Sequence, residues 1–351
     1  MNTEITDNND THGLARFEAQ GTVYPFSRVP PVNLASRRAC QSVARNRTCR
    51  AGRCNIAAHP KSSGPDAVAW ISALLPAAFA LSLGSALPAW IWMWLIAYAL
   101  FLGAKWVTIQ RFLRSGKRVG SGRLLAYLLL WPGMEVRAFS GTSPGPSPAG
   151  REWAGAAARM LFGAAVVWVG VPLMGATRSF ITGWIGMIGV VLLLHFGLFH
   201  LLSLLWRALG INARPIMRSL AGATSLSGFW GERWNTAFSN LMHENVFKPL
   251  TKWAGPGSAL FLVFLISGVL HELVISVPAH GGYGLPTAYF VLQGLALLFE
   301  RSQPGRRLGI GSGWKGRCFV VLVAGVPAFG LFHPLFIDRV ILPMLHAIGA
   351  T

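Results

Sequence analysis

Residues 224–273 read TSLSGFWGERWNTAFSNLMHENVFKPLTKWAGPGSALFLVFLISGVLHEL. The first half crowds tryptophans and polar groups into a segment that lies between apolar runs. The second half sets His271 and Glu272 in an otherwise apolar helix of membrane length. An ionisable group at membrane depth is expensive, so such a pair is a functional-site candidate by default. The rest of the chain reads as scaffold around it.

Composition sets the class. The chain has 351 residues, 53% hydrophobic, with 14 Trp and 12% charged residues. A soluble domain carries about 25% charged residues. Several runs reach the roughly 20 apolar residues that a bilayer crossing needs. These features exclude a soluble globular domain and predict an all-α, polytopic transmembrane helical bundle. About seven spans plus re-entrant or interfacial helices are expected, roughly seven to nine membrane segments in all. The net charge of +19 gathers in the N-terminal tail and the linkers. That is the pattern of cytoplasmic loops and of segments near anionic lipid. The excess of Arg over Lys points to a GC-rich bacterial genome, and hence to a bacterial cytoplasmic membrane.

Two regions follow. Residues 1–65 form a polar, Arg-rich tail without the apolar core of a signal peptide, expected to be disordered and cytoplasmic. Residues 66–351 form the membrane-embedded domain. Cys40, Cys49, Cys54 and His59 lie close together in the tail, but their spacing matches no strong zinc template. No metal is expected. Cys318 is expected to pack inside a late span.

Ala67 to Ala104 is uncharged and fits two spans broken near Pro88. Lys105 to Arg123 reads as a basic inner loop. Leu124 to Trp131 is too short to cross, and Ser140 to Gly150 is a Pro/Gly/Ser loop. Trp153–Met174 and Phe180–Leu205 span next. The second carries His195 and His200, residues more often structural than ligands. Arg207, Arg214 and Arg218 mark a return to the inner side.

Ser225 to Phe247 predicts one amphipathic helix, with Ser225 or Ser227 as its cap. Trp230, Trp234, Phe238, Leu241 and Met242 recur at three- and four-residue spacing, and Glu232, Asn235, Ser239 and His243 recur on another face. Two readings stand: a helix lying in the interface with its polar stripe in water, or one dipping into a water-lined cavity. Beyond it, Ser267 and His271 are four apart and share a helix face, while Glu272 points elsewhere. A structural His–Glu pair gluing helices is the alternative to a catalytic histidine. Thr287 to Phe299 and Phe319 to Ile337 complete the spans, with a basic inner loop between them and a short tail or half-helix after them.

At these residues the chain resembles the wax synthase-like branch of the membrane-bound O-acyltransferases. The serine-leucine of Ser225–Leu226, the FWG of Phe229–Gly231, the RWN of Arg233–Asn235 and the V-F-K-P of Val246–Pro249 look like that branch's signature. SGVLHEL, Ser267–Leu273, resembles its buried-histidine helix, and WPGM, Trp131–Met134, an upstream element. The resemblance covers about Leu124 to Phe336. Glu232 departs from it, since relatives often carry a second basic residue there.

The resemblance implies acyl transfer from acyl-CoA to a hydroxyl, with a lipophilic alcohol as acceptor, no cofactor beyond this co-substrate, and no nucleic acid. The family's asparagine falls on Asn235 and its histidine on His271. An alcohol is a poor nucleophile near neutral pH, and a neutral imidazole can take its proton, worth about 10²- to 10⁴-fold. The Asn235 amide suits either the oxygen that becomes negative in the tetrahedral intermediate or the orienting of the acceptor. Trp230, Arg233, Trp234 and His243 are candidate substrate-binding residues beside Asn235. Ser267, Glu272 and Lys248 are candidates near His271. Arg214, Arg218, Arg233, Lys248 and Lys252 are expected to line a cytoplasmic mouth for the CoA phosphates. Acylation of a sugar, polyketide or lipid headgroup is the alternative within the same chemistry. A transporter or membrane scaffold is the alternative outside it, although the two-halved repeat of many transporters is absent.

Overall fold

The computed structural model of the protein describes residues 67–141, 145–175 and 180–351. Among them every regular element is helical. α1 (Ala67–Ser82) turns back through Gly84–Ala86 onto α2 (Ala89–Arg114), which starts directly after Pro88. α3 (Ser121–Leu130) has ten residues, so it is about 15 Å long and cannot cross. α4 (Gly150–Leu173) and α5 (Phe180–Ala208) follow. After an irregular stretch come α6 (Thr236–Met242), α7 (Lys248–His271), α8 (Leu285–Arg301) and α9 (Gly313–Leu331).

Five helical runs are long and apolar enough to cross a bilayer: α2, α4, α5, the run Thr236–Ala279 that contains α6 and α7, and α9. Leu161, Phe162, Leu173, Val321 and Leu322 stand exposed on such helices, as lipid-facing side chains do. The protein is an integral membrane protein with an all-α bundle. The sequence predicts about seven spans. The two in excess correspond to α1 and α8, with 16 and 17 residues. At 1.5 Å per residue these reach about 24–26 Å, short of the roughly 30 Å hydrocarbon core.

The run Thr236–Ala279 is not one straight helix. Gly255 has φ 77° and ψ 166°, a break that its missing Cβ permits, and Pro256 restarts the helix with a φ that suits a first turn. From there α7 packs along α8. Gly268 marks their closest approach: a Cβ there would lie 2.9 Å from the Thr287 Cα. Small residues at helix contacts allow this backbone proximity in membranes. The main core gathers Leu260, Val263 and Phe264 of α7, Phe290 and Leu297 of α8, and Ile337, Val340 and Leu345 near the C-terminus. The segment after Asp338, expected as a tail or half-helix, is therefore a helical part of the core.

Two expectations need correction here. Cys318 lies exposed on the surface of α9 instead of packing inside. Lys105 does not begin a loop: α2 continues to Arg114, and Lys105 is fully buried in it. Its Nζ donates to the carbonyls of Tyr127 (2.8 Å), Trp131 (2.7 Å) and Gly133 (2.6 Å) and lies 3.5 Å from the Tyr127 ring centroid. An ammonium carries three donors and no acceptor, and three carbonyls meet it. Lys105 thus pins the WPGM turn to α2. Lys105→Met should strand these carbonyls and lower stability by about 3 kcal/mol or more, read as a fall in the thermal midpoint in detergent. A midpoint equal to wild type would remove this role. The tail cysteines and His59 lie outside the described residues.

Candidate active site

The segment from Ser225 to Phe247 is not one helix. Ser225 caps a short turn, its Oγ accepting from the Gly228 N–H at 3.0 Å. The backbone widens into a π-helical turn over Phe229–Arg233 and then breaks. Asn235 sits in the left-handed region, φ 44° and ψ 60°, which asparagine tolerates better than most residues. Its Oδ1 accepts from the Phe238 N–H at 3.2 Å, so Asn235 is the N-cap of α6. The strand-like stretch before it holds the break in place: Arg218 N donates to Arg233 O, and Thr236 N to Ile216 O, both at 2.9 Å.

This break decides what faces inward. Trp230, Trp234, Asn235, Phe238, Ser239 and Met242 all line one chamber of about 120 Å³. From α7 come Val263, Phe264, Ser267 and His271, and from α8 Phe290 and Leu297. The two stripes expected on different faces therefore converge on one cavity, and the interfacial reading does not hold for Asn235 and Ser239. The remaining polar-stripe members, Glu232 and His243, are not among the chamber-lining residues.

The walls are aromatic and fixed. Trp230 packs against Phe264 and Phe290 with ring centroids 5.8 and 5.7 Å away. Its indole N–H donates to Gln293 Oε1 at 3.2 Å, and the fully buried Gln293 anchors in turn to Val323 O at 2.7 Å. Ring-on-ring contact beside a hydrogen-bonded indole leaves Trp230 a single orientation.

His271 is half-buried, its ring centroid 4.3 Å from that of Phe290 and tilted by 39°. Its Nδ1 lies 2.7 Å from the Ser267 carbonyl. A carbonyl only accepts, so Nδ1 carries the proton and Nε2 keeps the lone pair. The ring is thus held as the tautomer a general base requires. Ser267 Oγ bonds back to Val263 O at 3.0 Å.

The other predicted residues have different tasks. Glu272 does not pair with His271. Its Oε1 accepts from the Gly284 and Thr287 N–H groups at 3.0 Å each, at the start of α8, where a carboxylate complements the helix dipole. Arg233 donates to Ser219 O at 2.7 Å, outside the chamber. His243 stacks on Phe247 at 5.2 Å, and His195 packs against Phe199. Lys248 pairs with Glu244, and Lys252 is exposed. Of the five basic residues expected at a mouth, Arg214 and Arg218 share a cleft, lined also by Glu135, Thr236, Ala237 and Asn240. That cleft lies against the opposite side of α6 from the chamber.

Residues 213–292, which contain both Asn235 and His271, match the membrane bound O-acyl transferase family. Similar proteins include a probable long-chain-alcohol O-fatty-acyltransferase 9 of Arabidopsis thaliana, 32% identical over 158 residues, 38% of this chain and 43% of the relative. The long-chain-alcohol O-fatty-acyltransferase of Simmondsia chinensis is 29% identical over 102 residues, 26% of this chain and 29% of the relative. The acyl-CoA–sterol O-acyltransferase 1 of Arabidopsis thaliana is 39% identical over 59 residues, 15% and 17% of the two chains. The chain thus spans less than half of the length of the curated relatives it matches. These relatives are from plants and lend nothing to the expected bacterial origin.

Phe290, Leu297 and Val263 had no local signal as site residues. They read as ordinary apolar or helix positions, and only the α7–α8 packing brings them to the chamber. Ser239 did have a signal: it follows Asn235 by one helical turn.

Proposed function

We propose that the protein is an O-acyltransferase that moves an acyl group from acyl-CoA to the hydroxyl of a lipophilic alcohol. One observation carries this: Asn235 and His271, 36 residues apart and on separate elements, line one chamber with otherwise mostly aromatic and aliphatic walls. In this reading the alcohol lies with its O–H toward His271 Nε2 and the thioester carbonyl toward the Asn235 side-chain amide. The Oδ1 of Asn235 is occupied by its cap, so its NH₂ group is the end that can donate. The mostly apolar walls lower the local dielectric and so strengthen each electrostatic contact inside. The apolar lining supports an apolar acceptor over a sugar. The names of the relatives support alcohols as acceptors, including sterols. A transporter has less support: the chamber holds a base and an amide donor but no half-helix pair.

Purified protein in nanodiscs, given labelled acyl-CoA and a panel of long-chain and ring alcohols, should form labelled ester. No ester with any acceptor would end the proposal. Arg214 and Arg218, in the cleft on the other side of α6, are the proposed contacts for the CoA phosphates. Reversing both charges should raise the apparent KM for acyl-CoA at least about tenfold, as loss of one charge-assisted phosphate contact does. An unchanged KM would leave these arginines as topology signals alone.

A further inference from the structure

Ser239 follows Asn235 by one turn of α6, lines the same chamber and is 8% exposed. Its hydroxyl has no hydrogen-bond partner. Buried polar groups are paired in the large majority of cases, so this orphan needs a cause. A serine inside a helix commonly turns its hydroxyl back onto the carbonyl four residues earlier. Ser267, in the same chamber, does so onto Val263 O. Ser239 does not, although the Asn235 carbonyl accepts its backbone N–H at 3.1 Å.

We infer that the Ser239 hydroxyl is a second donor, beside the Asn235 amide, to the thioester carbonyl oxygen as that oxygen becomes negative. The inference rests on the acyl-transfer reading. In the step concerned, the alcohol oxygen forms a bond to the carbonyl carbon while its proton passes to His271 Nε2. The carbonyl π pair moves onto oxygen, and this oxyanion receives the two donors. On collapse the C=O bond re-forms, the C–S bond breaks, and the departing CoA thiolate takes the proton back from His271. The products are ester and CoA thiol, and the enzyme is unchanged. Positions i and i+4 of one helix face place Asn235 and Ser239 as neighbours. A hydroxyl reorients by rotation about χ1 alone, so it can follow the oxygen as the carbon becomes tetrahedral. Donors fixed in place before the reaction act most strongly where water is excluded.

The test compares wild type, Ser239→Ala and Ser239→Thr in nanodiscs, by steady-state kinetics and thermal midpoint. Ser239→Ala should lower kcat by about 10²-fold, as loss of one oxyanion donor does. Its KM for acyl-CoA should change little, and its midpoint should equal or exceed the wild type, because an unpaired buried hydroxyl is gone. Ser239→Thr keeps the hydroxyl and should recover most of kcat. An Ala variant with near wild-type kcat overturns the role of Ser239 alone. Loss of activity matched by a fall in midpoint makes Ser239 a packing residue and overturns it as well. A wild type that acylates no alcohol overturns the acyl-transfer reading and this role together.

Discussion

His271→Gln is expected to accumulate in the membrane like the wild type, to bind acyl-CoA, and to lose acyl transfer by at least about 10²-fold. Glutamine nearly matches the volume of histidine, and its NH₂ can still reach the Ser267 carbonyl that holds Nδ1 at 2.7 Å. It has no group that accepts a proton at neutral pH. The variant therefore separates base chemistry from packing. The structural alternative, a His–Glu pair joining helices, has lost its partner: Glu272 Oε1 is engaged with the Gly284 and Thr287 N–H groups. Glu272→Ala is the matching control and should lower the thermal midpoint by releasing the start of α8. Substantial activity in His271→Gln would remove His271 from the mechanism. Among the described residues no second imidazole lines the chamber: neither His243 nor His195 is there. Direct transfer assisted by a histidine would then fail as a mechanism.

Asn235→Asp is expected to fold normally and to lose about 10²- to 10³-fold in kcat. Asp tolerates the left-handed backbone and caps a helix as well as Asn does. What it lacks is the NH₂ donor, and its charge opposes the oxyanion. Asn235→Gly separates these two effects. Gly adopts φ 44° without strain and costs only a few tenths of a kcal/mol as an N-cap, but it has neither donor nor charge. It should lose activity less steeply than Asp and still by a large factor. Ala is a poor probe, because it adds about 1–2 kcal/mol of backbone strain and about 1 kcal/mol of lost capping. If Asp and Gly variants both turn over at the wild-type rate, Asn235 serves only as the cap that shapes the turn. Thermal midpoints measured alongside keep loss of fold apart from loss of chemistry.

Much of this protein was legible in order along the chain. Apolar run length alone marks α2, α4, α5 and α7 as membrane helices, since bilayer thickness sets a length that few soluble elements reach. The improbability of His271 in such a run singles it out, because an ionisable side chain at that depth needs a reason. The spacing of Ser267 and His271 places them on one helix face by the 3.6-residue repeat. Local periodicity failed where the backbone leaves the helix. Asn235 at φ 44° resets the register, so the stripe drawn through Glu232, Asn235, Ser239 and His243 joins two chamber-lining residues, Asn235 and Ser239, to two that do not line it. Charge counting failed at Lys105, because a lysine that meets three carbonyls is a core residue whatever its formal sign. Glu272 looked like a partner for its neighbour and is a cap for another helix. Only tertiary structure could decide these matters. Which backbone groups lack partners, and which side chain reaches them, depends on elements far apart in sequence. The chamber itself is of that kind: residues of the turn before α6 and of α6, α7 and α8 line it, and no one of those elements carries a signal of the space between them.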